Sequence, residues 1–133
     1  MRNLIAAFIL GFILFACGTS NKTINTNNLP EHAVRIANDS LEYEIIIVDI
    51  GFDTYLATIA QPMNFYSQNY YEVKNRFYVT EWNYRARTPS RFNTSIYENE
   101  IDYNSHTDYG LEVNYKLFNY FKFVEYKYKQ QFN

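Results

Sequence analysis

Five carboxylates are the first residues in this sequence whose types and spacing point to chemistry. Asp49 and Asp53 follow an apolar run, and Glu98, Glu100 and Asp102 alternate in a later segment. Carboxylates that converge raise one another's pKa, so that a pair can act as general acid and base or bind a cation. A hydrolase that relies on Asp49, Asp53 or Glu100 is therefore one hypothesis. We favour helix and turn capping, because Asp53 stands where a helix opens and negative charge is stabilised there.

An aromatic and cationic group on one predicted helix is the second candidate. Trp82 stands beside Asn83 and close to Arg85, and Tyr78 precedes it by one helical turn. A Trp next to an Arg could hold a sugar or a carboxylate through ring contacts and charge-assisted hydrogen bonds. Trp82, Tyr78 and Arg85 are therefore the candidate ligand-binding residues of a glycan- or peptidoglycan-binding module. Such runs are more often half core and half solvated face, and this is the interpretation that we favour.

Residues for other catalytic or metal chemistry are scarce. The two His residues, His32 and His106, lie far apart in the sequence, and Cys17 is the only Cys. Metal sites need clustered His, Cys or carboxylate ligands, and the sequence contains no glycine-rich phosphate loop. Ser105 and Asp108 lie beside His106, but neighbours in sequence do not make a catalytic triad. We predict no catalytic residue, no metal and no cofactor, and hence a protein that is not an enzyme.

The start of the chain has the composition of an export signal. Arg2 gives a positive charge, and residues 4–15 form an unbroken apolar run of twelve residues. This run is shorter than the roughly 20 apolar residues of a membrane-spanning helix, and it has the length of the apolar region of a secretory signal. The residues Leu-Phe-Ala-Cys that end at Cys17 resemble the lipobox of bacterial lipoproteins, although Phe15 is bulkier than is usual there. We therefore predict a lipoprotein signal peptide over residues 1–16.

Lipidation of Cys17 is what this resemblance implies. The thiol would accept a diacylglyceryl group, the signal would be cut before Cys17, and the new amine would be acylated. Each buried methylene adds roughly 0.8 kcal/mol of membrane affinity, so two or three acyl chains would hold the protein durably. Lipidation also explains a lone thiol in an exported chain. Because Gly18 rather than Asp follows, we predict a cell-envelope protein at the outer membrane that faces the periplasm; the alternative is an ordinary secreted protein.

Behind the anchor we predict a tether and one domain. Residues 17–40 comprise the lipidated Cys and a flexible tether rich in Asn, Thr and Ser, with too little apolar surface to offset the entropy of ordering. Residues 41–133 form a single small Tyr-rich domain, whose amphipathic rings must supply much of the core. Without residues 1–16 the chain has 11 basic and 14 acidic side chains, a net charge of −3. This near balance argues against a nucleic-acid partner.

The periodicities predict an α+β fold that is mostly helical, with one or two short strands packed by two longer helices and a short one. Residues 42–50 carry a β-branched run and form the clearest strand. A lone strand cannot satisfy its backbone groups, so we expect it to pair near residues 100–103 or with a second copy of the protein. The helices are predicted over residues 52–59, from an N-cap at Ser67 to about Arg87, and from an N-cap at Asp108 to about Lys129.

Apolar side chains form stripes on the two longer helices. The last helix has one stripe at helical spacing, which consists of Val113, Leu117, Phe121, Val124 and Tyr128. The preceding helix has two stripes, and they predict that it packs against two neighbours. These consist of Tyr70, Val73, Phe77 and Tyr84, and of Tyr71, Tyr78 and Trp82.

Several strings are distinctive when they are taken together. They are YEIIIVD (residues 43–49), FYSQNYY (65–71), YVTEWNYR (78–85), YENEIDY (97–103) and DYGLEVNYKLFNYFKF (108–123). Together they resemble a family of small bacterial envelope lipoproteins that is known only as a domain of unknown function. The resemblance covers residues 41–128. It implies a lipoprotein and brings no activity, cofactor or catalytic residue.

The function that we predict is that of a lipid-anchored cell-envelope protein with a non-enzymatic binding or scaffold domain. Its expected partners are the membrane, through lipid on Cys17, and another envelope protein or a glycan. A glycan- or peptidoglycan-binding module is the alternative, and a carboxylate-based hydrolase is a further one.

Overall fold

The computed structural model of the chain describes residues 29–132. The predicted signal peptide, Cys17 and the first part of the predicted tether lie outside these residues. The described part contains two strands and three α-helices, which confirms the predicted mostly helical α+β class. In chain order the elements are β1 (Val34–Asn38), β2 (Tyr43–Ile47), α1 (Phe52–Thr58), α2 (Gln68–Ala86) and α3 (Leu111–Tyr128).

The two strands form an antiparallel hairpin. Val34 lies opposite Ile47, and Asn38 lies opposite Tyr43. A 3-10 turn at Asp39–Leu41 joins the strands. Because side chains alternate across a strand, every second residue of each strand faces the helices and the residues between them face outward.

This pairing corrects two predictions. The partner of β2 is not the segment near residues 100–103 but β1, which lies within the predicted tether of residues 17–40. The folded part of the chain therefore begins before Leu41. The segment is ordered because Val34 and Ile36 bury their side chains. An alternation of only five residues is too short to stand out in a polar stretch of sequence.

The helices lie close to their predicted positions, and one N-cap differs. α1 covers the predicted short helix, and the Ser67 side chain caps α2 by accepting a hydrogen bond from the Tyr70 N–H at 3.2 Å. The N-cap predicted at Asp108 is wrong, because α3 begins at Leu111 after an N-cap at Gly110. Asp108 instead accepts a hydrogen bond from the Gly110 N–H at 3.0 Å. Gly110 turns the chain into the helix with a φ of 82°, which glycine adopts without strain.

Only one of the two apolar stripes of α2 is packed. Tyr71 and Trp82 are buried on the side that faces α3. In the other stripe Val73 and Phe77 are exposed, Phe77 to 63% of its surface. The second stripe therefore does not pack against a neighbouring element at Val73 and Phe77, within the part of the chain that the structure describes.

α3 carries the centre of the core. Four residues of its predicted stripe are buried: Val113, Leu117, Phe121 and Val124. β1 and α1 also pack on this helix, and the ring centroid of Phe52 in α1 lies 5.4 Å from that of Phe123. None of the helices within residues 29–132 has the length and apolar character that crossing a membrane requires.

Candidate functional site

A groove with a volume of about 840 Å³ runs along β2. One side, which we call the strand wall, consists of residues 42–50, and the other, the loop wall, consists of residues 95–96 and 98–102. Trp82 and Tyr120 also line it. No residue of β1 does, so the groove follows the edge of β2 that faces away from β1. We call it the β2 groove.

Side chains of α2 hold the loop wall in place. The indole Nε1 of Trp82 donates a hydrogen bond to the Asn99 carbonyl oxygen at 2.8 Å. The Asn83 side chain donates to the Ile101 carbonyl oxygen at 2.9 Å and accepts from the Ile101 N–H at 2.8 Å. These two bonds to one residue replace the pair that a neighbouring strand would make. α2 thereby satisfies the Asn99 carbonyl and both backbone groups of Ile101.

The outer edge of β2 has no comparable support. At the opposite edge of the sheet, Lys116 Nζ donates to the Arg35 carbonyl oxygen at 3.1 Å, and from this bond we infer that the carbonyl points away from β2. In an antiparallel ladder, two residues directly opposite each other either both point their N–H and C=O groups toward the partner strand or both point them away from it. Ile46, opposite Arg35, and by the two-residue period Glu44 therefore direct their N–H and C=O groups away from β1. No group of residues 29–132 hydrogen-bonds to the backbone of residues 43–48 from the groove side.

Tyr43 joins the two walls at one end of the groove. Its hydroxyl donates to the Asp102 carbonyl oxygen at 2.8 Å. Its ring centroid lies 4.3 Å from that of Tyr109. Burial of the phenol, together with the neighbouring Tyr109 and Asp102, raises the pKa of Tyr43 well above its ordinary value of 10.0. The hydroxyl therefore stays protonated through the neutral range and keeps this hydrogen bond.

The structure brings four of the five candidate carboxylates to the β2 groove. These are Asp49 on the strand wall and Glu98, Glu100 and Asp102 on the loop wall. Asp53 lies elsewhere, in the first turn of α1, where the capping interpretation places it. Its carboxylate is 3.0 Å from Nδ1 of His32, and this hydrogen bond lowers the pKa of Asp53 below its usual value.

Ion pairs hold two of the four carboxylates in the groove. Asp49 accepts hydrogen bonds from Lys127 Nζ at 2.5 Å and from the Tyr128 hydroxyl at 2.9 Å. Glu100 pairs with Arg87 at 3.1 Å. Two of the three residues named for a hydrolase are therefore neutralised, and the third, Asp53, lies outside the groove. Over residues 29–132, no group of three or more His, Cys, Asp or Glu is arranged to hold a metal ion.

The β2 groove nevertheless keeps a negative charge. Six acidic side chains and one lysine line it. Glu44 is neutralised from the outer face of the sheet by Arg35, at 2.8 Å. Glu42, Glu98 and Asp102 form no ion pair with any residue that the structure describes. Uncompensated carboxylates therefore stand on both walls.

The three candidate ligand-binding residues of α2 lie together, but in the core. Trp82 is only 3% exposed, Arg85 is buried and Tyr78 is half-buried. All three surround Phe132, whose ring centroid lies 6.1 Å from that of Trp82 and 5.8 Å from that of Tyr78. The Arg85 guanidinium carbon lies 4.8 Å from the same ring, and its Nη1 donates to the Tyr97 hydroxyl at 2.8 Å. Because a buried ring cannot stack on a sugar, this arrangement supports the core interpretation.

Three residues that shape the groove carry little signal in the sequence. Asn83 stands among the apolar positions of α2, and a polar amide within such a run hints that it bonds to a backbone. Tyr43 and Ile46 belong to the predicted strand. Their exposure to a groove depends on which side of β2 pairs with β1, and no local pattern states that.

A protein-family model described as "Family of unknown function (DUF6146)" matches residues 4–133. The match spans the apolar run at the start of the chain and all of the described fold. No curated protein and no solved structure matches the chain. The geometry of the groove is therefore the guide to what the domain does.

Proposed function

We propose that this chain, which belongs to the DUF6146 family of unknown function, is a lipid-anchored cell-envelope protein whose domain binds another envelope component and catalyses no reaction. The anchor is lipid on Cys17, and the binding surface is the β2 groove. The observation that carries the binding role is the strand wall, where the outer edge of β2 pairs with nothing in residues 29–132 and faces a groove.

An unpaired strand edge is a template for pairing with another chain, and proteins usually cover or blunt it. Here the edge is left open beside exposed apolar side chains. Ile46 is 44% exposed, and Val48 and Ile50 are exposed further along the same wall. This surface combines an open strand edge, exposed apolar side chains and a groove. These features are typical of a protein-binding surface.

A binding role also fits the ion pairs and hydrogen bonds that the carboxylates form. Asp49 and Glu100 are held by cations, and Asp53 is paired with His32 away from the groove. General acid–base catalysis needs a group that can exchange its proton with a substrate. We therefore assign the acids of the groove to recognition and to local structure.

The sequence supports the anchor and the compartment. The apolar run before Cys17 resembles a lipoprotein signal, and Gly18 favours the outer membrane, with the domain facing the periplasm. Residues 18–33 connect Cys17 to β1, and sixteen residues reach at most about 55 Å when fully extended. A protein anchored in this way works close to the membrane surface.

Mass spectrometry of the purified full-length product tests the anchor. We expect a product that begins at Cys17 and carries diacylglyceryl and acyl groups, and that is found in the membrane fraction. Cys17→Ser should leave the protein unprocessed and without lipid, whereas Ser20→Ala, a few residues on, should change neither. An unmodified thiol on Cys17 in the native product would contradict the anchor.

Cross-linking and pull-down of the membrane-anchored protein tests the binding role. We expect one envelope component to co-purify with the native protein and to be lost with Ile46→Lys, which places a charge on the strand wall. Phe77→Lys is the matched control, because Phe77 is an exposed apolar residue of α2 outside the groove. Recovery of cell-wall glycan that Ile46→Lys leaves unchanged would instead support the glycan-binding alternative.

A further inference from the structure

We infer that the β2 groove takes an extended, basic segment of a partner protein, which adds to the sheet as a third strand beside β2. This inference rests on the proposed binding role and names the chemical class of the partner. The strand edge supplies the attachment through its backbone, and the side chains of the groove supply the selectivity.

The backbone geometry of the strand wall favours a strand as the occupant. Glu44 and Ile46 direct their N–H and C=O groups away from β1, as the bond from Lys116 to the Arg35 carbonyl indicates. A third strand would satisfy these groups at the usual spacing of about 4.8 Å. The loop wall does not do so: Asn83 and Trp82 bond the backbones of Ile101 and Asn99 to α2.

The side chains that line the groove predict an alternating pattern in the partner. Side chains at directly opposite positions of two neighbouring strands lie on the same face of the sheet. On the inner face a new strand would lie beside Ile45 and Ile96, which line the groove and are only partly buried, and these suit apolar side chains. On the outer face it would lie beside Glu44, which suits a basic one. A segment in which apolar and basic residues alternate therefore fits both faces.

The negative charge of the groove favours a bound segment that is positively charged. Glu42, Glu98 and Asp102 have no ion pair with a described residue, and they stand on both walls. Lys or Arg in the bound segment would compensate them, whereas an acidic segment would meet like charge. The same rule disfavours a second copy of this chain, since pairing of two β2 edges would bring the same carboxylates of both copies together.

Binding of short synthetic peptides to the full-length protein tests this inference. The protein is purified from whichever cell fraction contains it, so that the result does not depend on lipid at Cys17. A peptide of alternating lysine and valine should bind, with an affinity that falls as salt is added. A peptide of alternating glutamate and valine should bind at least about tenfold more weakly, because like charges oppose it.

Two further peptides separate strand addition from attraction of charge alone. A peptide of alternating lysine and proline has the same charge but cannot donate backbone hydrogen bonds from its proline positions. A lysine–valine peptide that is N-methylated at every residue removes the donors of both edges and keeps the side chains. The fully N-methylated peptide should not bind measurably, and the lysine–proline peptide should bind at least about tenfold more weakly than the lysine–valine peptide. Equal binding of all three cationic peptides would overturn the inference.

Variants of the strand wall give a second, independent test. Ile46→Pro removes one outward N–H at an edge position where proline is tolerated, and it should weaken the lysine–valine peptide by about tenfold, the worth of one hydrogen bond with its packing. Ile46→Thr keeps the N–H and should bind nearly as the native protein does. The double variant Glu98→Gln with Asp102→Asn should weaken binding roughly two- to tenfold and flatten the salt dependence.

Two results would overturn the inference and leave the proposed function standing. One is a concentration-dependent dimer that Ile46→Pro abolishes, seen by analytical ultracentrifugation together with no peptide binding; the occupant would then be a second copy. The other is envelope-component capture that depends on Ile46 while no basic peptide binds. If neither capture nor peptide binding depends on Ile46, the proposed role of the groove fails as well.

Discussion

The two walls of the β2 groove are held in opposite ways. The loop wall has no regular secondary structure, yet the Asn99 and Ile101 backbones are bonded to side chains of α2. The strand wall is regular, yet the groove edge of residues 43–48 bonds to no described residue. The difference teaches that regular structure and satisfied backbone are separate properties. A loop can be the firm side of a site, and a strand can be its unsatisfied side.

The largest expected effect tests the support behind the loop wall. Trp82→Ala removes a buried ring and the bond to Asn99, so we expect the free energy of unfolding to fall by about 3–5 kcal/mol. Urea denaturation measures it. Trp82→Phe keeps an aromatic ring and should cost less. A Trp82→Ala protein of native stability would show that the loop wall does not depend on the core.

Removing the hydrogen bonds between Asn83 and Ile101 is the next test of the comparison between the two walls. Asn83→Ala leaves the Ile101 N–H and C=O without partners, which should cost about 1–3 kcal/mol. Hydrogen exchange at Ile101 should become faster, while exchange at Ile45 changes little. Asn69→Ala is the control, because Asn69 is an exposed asparagine of the same helix. Unchanged exchange at Ile101 would mean that the loop is held by other contacts.

Alkaline pH tests the link that Tyr43 makes between the walls. Burial raises the pKa of Tyr43 above 10.0 and, with neighbouring acids, that of Tyr103 to about 12. Both phenols are therefore favoured in the neutral form by folding. This stabilisation is complete below pH 10, the ordinary pKa, and is lost as the pH rises through the folded values.

The free energy of unfolding should accordingly fall between pH 10 and about pH 12. Tyr43→Phe should lower the stability at neutral pH by about 1 kcal/mol, through the lost bond to Asp102, and should make the alkaline fall shallower. Denaturation at a series of pH values measures both. Identical alkaline slopes for the two proteins would remove Tyr43 from this role.

The smallest expected effect is on the strand wall. Ile46→Thr should change the free energy of unfolding by no more than about 0.5 kcal/mol, because the side chain is half exposed and a β-branched residue is kept. In the native protein the Ile46 amide should exchange faster than that of Ile45, which faces β1. Slow exchange at Ile46 in the protein alone would show that the edge of β2 is already covered.

Much of the fold could be predicted from local pattern. The helices α1 and α2, the Ser67 cap and the buried stripe of α3 follow from helical spacing and capping chemistry. The partner of β2 could not be predicted, because β1 is five residues long and lies in a polar stretch. The second stripe of α2 was misleading, since apolar spacing indicates a face but does not state that another element covers it.

The candidate site was predictable only in its residue types. The sequence marks the carboxylates and predicts that some converge, and four of them do line one groove. It cannot state that Arg87 and Lys127 neutralise two of them, because these partners come from distant positions. It places Trp82 beside Arg85 on α2, but whether the pair faces solvent depends on Phe132, which arrives from the end of the chain.

The sequence by itself determined the lengths and starts of most helices, the aromatic nature of the core and the prediction of a lipid anchor at Cys17. These depend on neighbours within a few residues, through helical spacing, caps and short composition patterns. Only the tertiary structure decided which edge of β2 stays open, which carboxylates of the groove form ion pairs with described residues and that Asn83 holds the loop wall. Each of these depends on hydrogen bonds and ion pairs between segments that are distant in sequence, and such contacts exist only once the chain has folded.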